Sequence, residues 1–229
     1  MKILITGGCG YTGTELIKSL LKDGHKIVNI DLAWFGNYIN KQKNYKFIKK
    51  DFRSIEKKDL MSVNAIVHLA NIANDQSVEL DPSLSWEINV LGTYLICNLA
   101  HKYKIKQVIY ASSGSVYGVK KEKKVTEDLS LNPISTYNKT KMTAERIIMS
   151  YSKNFKYHII RPATVCGYSD RLRLDLTVNA LSYNALNNKL IKVHGGNQFR
   201  PNIHIQDLVS VYKHFLYKGK KIKSGIFNA

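Results

Sequence analysis

Along this chain short apolar runs bounded by turn residues alternate with stretches whose apolar positions recur every three to four residues. That rhythm predicts an α/β fold, a parallel sheet with helices over both faces. Lys2–Thr6 reads as the first strand, Tyr11–Lys22 as a helix closed by Gly24, and Lys26–Asp31 as the second strand. Phe47–Lys50 and Ala65–Ala70 supply two more strands. Pro82–Tyr103 reads as one long helix, with Leu84, Ile88, Leu91, Leu95 and Leu99 on its apolar stripe. Gln107–Ser112 is a strand, Ile134–Tyr151 a helix and Tyr157–Arg161 a strand.

After Pro162 the pattern loosens into a loop with Gly, Ser and Arg, a helix over Leu176–Asn188, a short strand at Ile191–His194 and a helix over Gln206–Tyr217. Gly225–Ala229 reads as a last strand. The expected division is residues 1–160 as the main unit and residues 161–229 as a small second lobe interleaved with the end of the sheet. A buried strand is an odd place for a terminus, so this lobe reads as incomplete.

Composition excludes several classes. With 44% hydrophobic residues in 229 there is material for a packed core, and no apolar run approaches the roughly 20 residues that span a bilayer. Cys9, Cys97 and Cys166 are odd in number and scattered, without metal-ligand spacing, so neither a disulfide framework nor a metal site is expected. No signal-like segment precedes the first strand, which makes the cytoplasm the expected compartment. The formal charge of +18 raises the possibility of nucleic-acid binding. Only six of the 35 basic residues are Arg, however, and the Lys fall in runs such as Lys120–Lys124 and Lys218–Lys223 without interleaved aromatics. Solvated faces are the expectation, not a specific nucleic-acid site.

The first strand runs straight into Gly7-Gly8-Cys9-Gly10-Tyr11-Thr12-Gly13 and then a helix. This GxxGxxG series is a spacing variant of the dinucleotide fingerprint of Rossmann-type, doubly wound sheets. Gly7, Gly10 and Gly13 allow a tight turn, close approach of backbone to a diphosphate, and close helix packing. Asp31 ends the second strand 18 residues after Gly13, where a carboxylate accepts from both hydroxyls of an adenosine ribose. A 2′-phosphate would be repelled there and neither Leu32 nor Ala33 is an Arg, so NAD is expected over NADP.

Tyr137 and Lys141 are four apart on a helical stretch and share one face. A neighbouring ammonium favours phenolate, which turns a weak acid into a usable base. The strand end Ala111-Ser112-Ser113-Gly114-Ser115 offers hydroxyls to the same substrate oxygen.

Together these residues resemble the extended short-chain dehydrogenases/reductases, in particular the NAD-dependent nucleotide-sugar epimerase/dehydratase group, over essentially the whole chain. Further marks of the resemblance are Asp51-Phe52, Val67 to Ala70, Asn89 to Thr93, Val116-Tyr117-Gly118, Arg161-Pro162 and Arg200 to Asp207. It implies that Tyr11, Thr12, Asp31, Asp51, Phe52, Leu69, Ala70, Asn89 and Lys141 contact NAD, and that Ser113, Tyr137 and Lys141 form the catalytic set. It gives Arg200 the diphosphate of a nucleotide-diphosphate sugar and Thr164 a place beside the sugar. His68 is expected to be structural. Dimerisation through the helices at Pro82–Tyr103 and Ile134–Tyr151 is also implied.

The dehydratases of the group carry Asp-Glu after the active-site hydroxyl, and here those positions are Gly114 and Ser115. Epimerisation at C4 is therefore the expected reaction. A net oxidoreductase on the same sugars and a non-catalytic NAD-binding module stay open as alternatives.

Overall fold

The computed structural model describes all residues, 1–229. Seven parallel strands form the central sheet: β1 (Lys2–Thr6), β2 (Lys26–Asp31), β3 (Tyr45–Lys49), β4 (Ala65–His68), β5 (Gln107–Ala111), β6 (Lys156–Arg161) and, beyond two short strands named below, β9 (Gly225–Asn228). Their spatial order is β3-β2-β1-β4-β5-β6-β9. The chain lays strands outward from β1 on one side, then returns and builds on the other. That reversal beside β1 opens the crevice where doubly wound sheets bind ligands.

Alternation along β1 divides the core. Leu4 faces one side with Ile66, Val108, Tyr110, Ala144 and Ile148. Ile3 and Ile5 face the other with Leu16, Ile17 and Leu20 of α1 (Tyr11–Lys22) and with Leu208, Val209 and Tyr212. Those last three belong to α7 (Ile205–Lys218), so a late helix covers the same face as the first one.

The long helix expected over Pro82–Tyr103 is α3 (Pro82–Trp86), a π-helical turn (Glu87–Leu91) and α4 (Gly92–Lys102) in succession, preceded by a separate short helix α2 (Asp75–Leu80). Asp81 caps α3 by accepting from Leu84 N at 2.9 Å, with Pro82 at the first helical position. A π turn holds one residue more than an α turn and commonly marks a functional site. Here it turns Asn89 inward, and Gly92 follows because a Cβ there would stand 2.5 Å from the Phe52 ring.

α5 (Thr136–Ser150) packs beside α4 and carries the Tyr137 and Lys141 positions. Ile191–His194 is not a strand. Its Ile191 and Val193 alternate as in one, but both are exposed and no sheet edge lies beside them. The second sheet consists instead of β7 (Thr164–Cys166) and β8 (Asn202–His204), paired in parallel. Between them run α6 (Thr177–Asn188) and the irregular segment that follows it. No helix is long and apolar enough to cross a membrane.

Candidate active site

The glycine loop meets its geometric demands at two positions. Gly7 has φ +75°, and a Cβ on it would strike Ala70 N at 2.5 Å. A Cβ on Gly13 would lie 2.6 Å from Gly7 O, so α1 could not sit down on the loop. Gly10 caps α1 without a side-chain bond and no acid lies in the first turn. The N–H groups of Tyr11, Thr12 and Gly13, next to Thr14 N that bonds Gly10 O, therefore have no intrahelical partner and carry the positive end of the helix dipole. Asp31 faces this loop: its carboxylate accepts from Cys9 N at 2.9 Å and Ala33 N at 2.7 Å. Open amide donors beside an anchored, half-buried carboxylate form a donor set that fits the diphosphate and ribose of a dinucleotide.

The other positions expected around a cofactor line the same edge in different ways. Asp51 accepts from Arg53 N at 2.8 Å and pairs with the Arg53 guanidinium at 2.7 Å, which holds its acid below the usual carboxylate range. Phe52 is buried and lies edge-on to His68, 5.1 Å between ring centroids. Leu69 and Ala70 present backbone against Gly7, with Leu69 N bonded to Thr6 O. Asn89 is fully engaged: its Oδ1 accepts from Ile72 N at 2.8 Å, and its Nδ2 donates to Ile72 O and Thr140 Oγ1, both at 3.1 Å. It thereby clamps the loop after β4, where Asn71 Oδ1 is buried with no partner.

His68 is buried between Thr6 Oγ1 (2.6 Å) and Thr93 Oγ1 (3.2 Å). Burial and the Lys141 charge push it down to about 3, so it is a neutral bridge between β1, β4 and α4.

Ser113, Tyr137 and Lys141 come together across β5 and α5. Ser135 starts α5 by accepting from Asn138 N at 3.2 Å, which puts Tyr137 in its first turn. Lys141 is 1% exposed, donates to Ala111 O at 2.8 Å, and lies 4.9 Å from the Tyr110 ring and 5.8 Å from the Tyr137 ring. Ser113 Oγ is 2.7 Å from Ser115 Oγ, which donates to Asn138 Oδ1 at 2.5 Å. Burial pushes the Tyr137 phenol up to about 12, against weaker downward pulls from the Arg173 charge and a hydrogen bond with Ser113. Burial also pushes Lys141 down to about 7, with Glu145 opposing. The protein surroundings alone thus favour a neutral phenol beside a partly charged amine, so a phenolate needs positive charge from outside the chain.

Thr164 N bonds Pro201 O at 3.1 Å, which brings Thr164 of β7 next to the segment leading into β8; Arg200 there is exposed. Residues 167–175, a loop by sequence, form a strap tied down by side chains. Tyr11 Oη donates to Gly167 O at 2.6 Å, Ser169 Oγ to Tyr11 O at 3.2 Å, and Lys18 pairs with Asp170 at 2.5 Å. Arg171 then stacks on Phe35, 3.9 Å from the ring centroid, and Asp175 accepts from Asn74 Nδ2 at 2.9 Å and pairs with Arg173. This strap is tied to α1 and to the loops after β2 and β4. Its signal in the sequence was the alternation Arg171, Arg173, Asp175. No group of three or more His, Cys, Asp or Glu side chains is gathered as for a metal ion.

The family model described as "NAD dependent epimerase/dehydratase family" matches residues 3–229. The chain is 31% identical over 226 residues to the "Uncharacterized UDP-glucose epimerase YtcB" of Bacillus subtilis, covering 91% of this chain and 70% of that protein. To the dTDP-D-glucose 4,6-dehydratase of Dictyostelium discoideum it is 30% identical over 249 residues, 96% of this chain and 56% of the relative. Among solved structures, the UDP-glucuronic acid 4-epimerase of Bacillus cereus in complex with UDP-glucuronic acid and NAD superposes with a TM-score of 0.87 at 28% identity, over 100% of this chain and 77% of that one.

Proposed function

Because this chain belongs to the NAD dependent epimerase/dehydratase family, whose cofactor is NAD, we propose that it is a nucleotide-sugar epimerase acting at C4. The observation that carries the choice of reaction is the hydroxyl-only strand end. Ser113, Gly114 and Ser115 stand where removal of water would need an acid and a base, and Ser115 is turned onto Ser113 and Asn138. Glu145, the one carboxylate buried behind this strand end, is committed to Arg161 and Ser112. Relatives include both epimerases and dehydratases, so family membership by itself leaves the reaction open.

In this reading the backbone of Gly7, Gly10, Tyr11, Thr12 and Gly13 holds the cofactor diphosphate and Asp31 its adenosine ribose. Asp51, Phe52, Leu69, Ala70 and the loop clamped by Asn89 form the rest of the cofactor wall, and Lys141 reaches the nicotinamide end. Bound NAD supplies the hydride acceptor and the hydride that is returned. Tyr137 takes the proton of the C4 hydroxyl as the carbonyl forms and gives it back as the alcohol of opposite configuration forms. Ser113 donates to the same oxygen, and Thr164 and Arg200 meet the sugar and its diphosphate. The elements facing outward at α3–α4 and α5, with Leu91, Tyr94 and Met149 exposed, form the contact between two copies.

The test is to incubate the protein with NAD and UDP-glucose or UDP-glucuronic acid and follow the sugar by proton NMR. Interconversion of the C4 epimers without net NADH is the expected result. Accumulating NADH would make it an oxidoreductase, and a 4-keto-6-deoxy product a dehydratase.

A further inference from the structure

Tyr137, Lys141 and Glu145 follow one another at four-residue spacing on α5 and share its inner face. Glu145 is buried. Its Oε1 accepts from Arg161 Nε at 2.9 Å and from Ser112 Oγ, and its Oε2 accepts from Arg161 Nη2 at 2.6 Å. Arg161 Nη1 continues to Tyr117 Oη at 2.7 Å, which donates to Asn228 Oδ1 at 2.8 Å. The line runs from α5 through Ser112 and Tyr117, in the segment just after β5, and Arg161 of β6 to Asn228 of β9.

An ion pair buried this deeply is no bargain for stability, since desolvation of both charges offsets their attraction and apolar residues of similar size often do as well. The placement of Glu145 suggests another use. Ala111 O holds Lys141 and the next residue, Ser112, holds Glu145, so α5 grips the last residue of β5 and the one after it, immediately before Ser113. Glu145 also provides the one carboxylate acting on Lys141. The other groups around that ammonium are Tyr110 of β5, Tyr137 on its own helix and His68 of β4, kept neutral, while Arg161 of β6 pairs with Glu145 itself.

We propose that Glu145 is a positioning residue of the active site, which fixes the Ser113 strand end against α5 and supplies the counter-charge that keeps Lys141 an ammonium. The proposal rests on the reading of Ser113, Tyr137 and Lys141 given above. Burial drives Lys141 down to about 7 and Glu145 pulls against it, so removing the carboxylate lowers the amine further. The ammonium is then lost at lower pH, and the alkaline limb of activity moves down.

Three variants of the full chain test this, with kcat followed from pH 5.5 to 9 at saturating NAD and nucleotide sugar, NAD affinity measured over the same range, and thermal unfolding recorded. Glu145→Gln loses at least tenfold in kcat at pH 8, its alkaline limb shifted down by about one unit, and it unfolds at lower temperature because Arg161 is left alone. Glu145→Gln/Arg161→Met leaves no unpaired charge: it regains thermal stability and keeps the shifted limb. Ser112→Ala keeps both charges and loosens only the grip, so kcat falls with the limb unmoved. A double variant with the wild-type pH profile would overturn the electrostatic role, and Ser112→Ala with wild-type kcat would overturn the positioning role. If the wild type turns over no nucleotide sugar, it is the reading of the reaction that fails, and the pH dependence of NAD affinity in the double variant still decides about Glu145: an unshifted dependence overturns the proposal.

Discussion

Tyr137 and Lys141 stand one helical turn apart, the ammonium 5.8 Å from the phenol ring centroid, and burial moves the two groups in opposite directions. The phenol is raised to about 12 and the amine lowered to about 7, so in the chain by itself the phenol is neutral and the amine only partly charged. A positive nicotinamide ring would favour the phenolate and, as a like charge, oppose the ammonium, so Lys141 depends on negative partners, the phenolate itself and Glu145, to stay charged.

Tyr137→Phe removes the base and leaves the fold and the NAD donors in place. Turnover falls roughly a hundred- to ten-thousandfold while NAD affinity changes little, measured by steady-state kinetics and by titration calorimetry. Wild-type turnover in this variant would remove Tyr137 from the chemistry.

Lys141→Met separates stability from function. The amine is 1% exposed and bonds one carbonyl, so its charge is poorly repaid by the fold. The Met variant unfolds at a temperature equal to or above that of the wild type and is nearly inactive. A strong loss of thermal stability would show that Lys141 is a structural pillar.

Asp31→Ala weakens NAD by roughly ten- to a hundredfold, the scale of lost hydrogen bonds to a charged group. It also narrows the preference for NAD over NADP, because the carboxylate that repels a 2′-phosphate is gone. Competitive titration with both dinucleotides reads the two effects, and an unchanged preference would place the ribose elsewhere.

Folding stability rises with pH through the neutral range. His68 binds a proton near 6.5 when unfolded and near 3 when folded, so its contribution is complete above pH 6.5 and is lost as pH falls toward 3. Between pH 7 and pH 5 this one group removes about 2 kcal/mol. Urea unfolding at the two pH values checks the slope, and His68→Gln flattens it. An identical slope in the variant would assign the effect to other groups.

The main sheet and the glycine loop were legible because each rested on local signals: period two or continuous apolarity for strands, and glycines where a Cβ strikes backbone, as at Gly7 and Gly13. The π turn was not, since Leu84 to Leu99 keep a helical stripe on either side of it and only the partners of Asn89, Ile72 and Thr140, mark the extra residue. Ile191–His194 misled because alternation records a side-chain pattern and says nothing about whether a partner strand exists. The strap and the Glu145–Arg161 pair were illegible for a related reason: Tyr11 meets Gly167 and Arg161 meets Glu145 only after the chain has folded back on itself. The electrostatics went the same way. Spacing brings Lys141 to Tyr137, but burial, which disfavours the charged form of each, belongs to the tertiary structure.

The packing of α7 over α1 has a consequence for synthesis. During translation the face formed by Ile3, Ile5, Leu16, Ile17 and Leu20 leaves the ribosome early, while the residues that cover it, Leu208, Val209, Tyr212 and Phe215, come about two hundred codons later. Until α7 is made, the nascent sheet carries this apolar face without its cover. The face closes only once α7 has emerged, β9 pairs with β6 after that, and the interval is the one in which holding by a chaperone has most to protect.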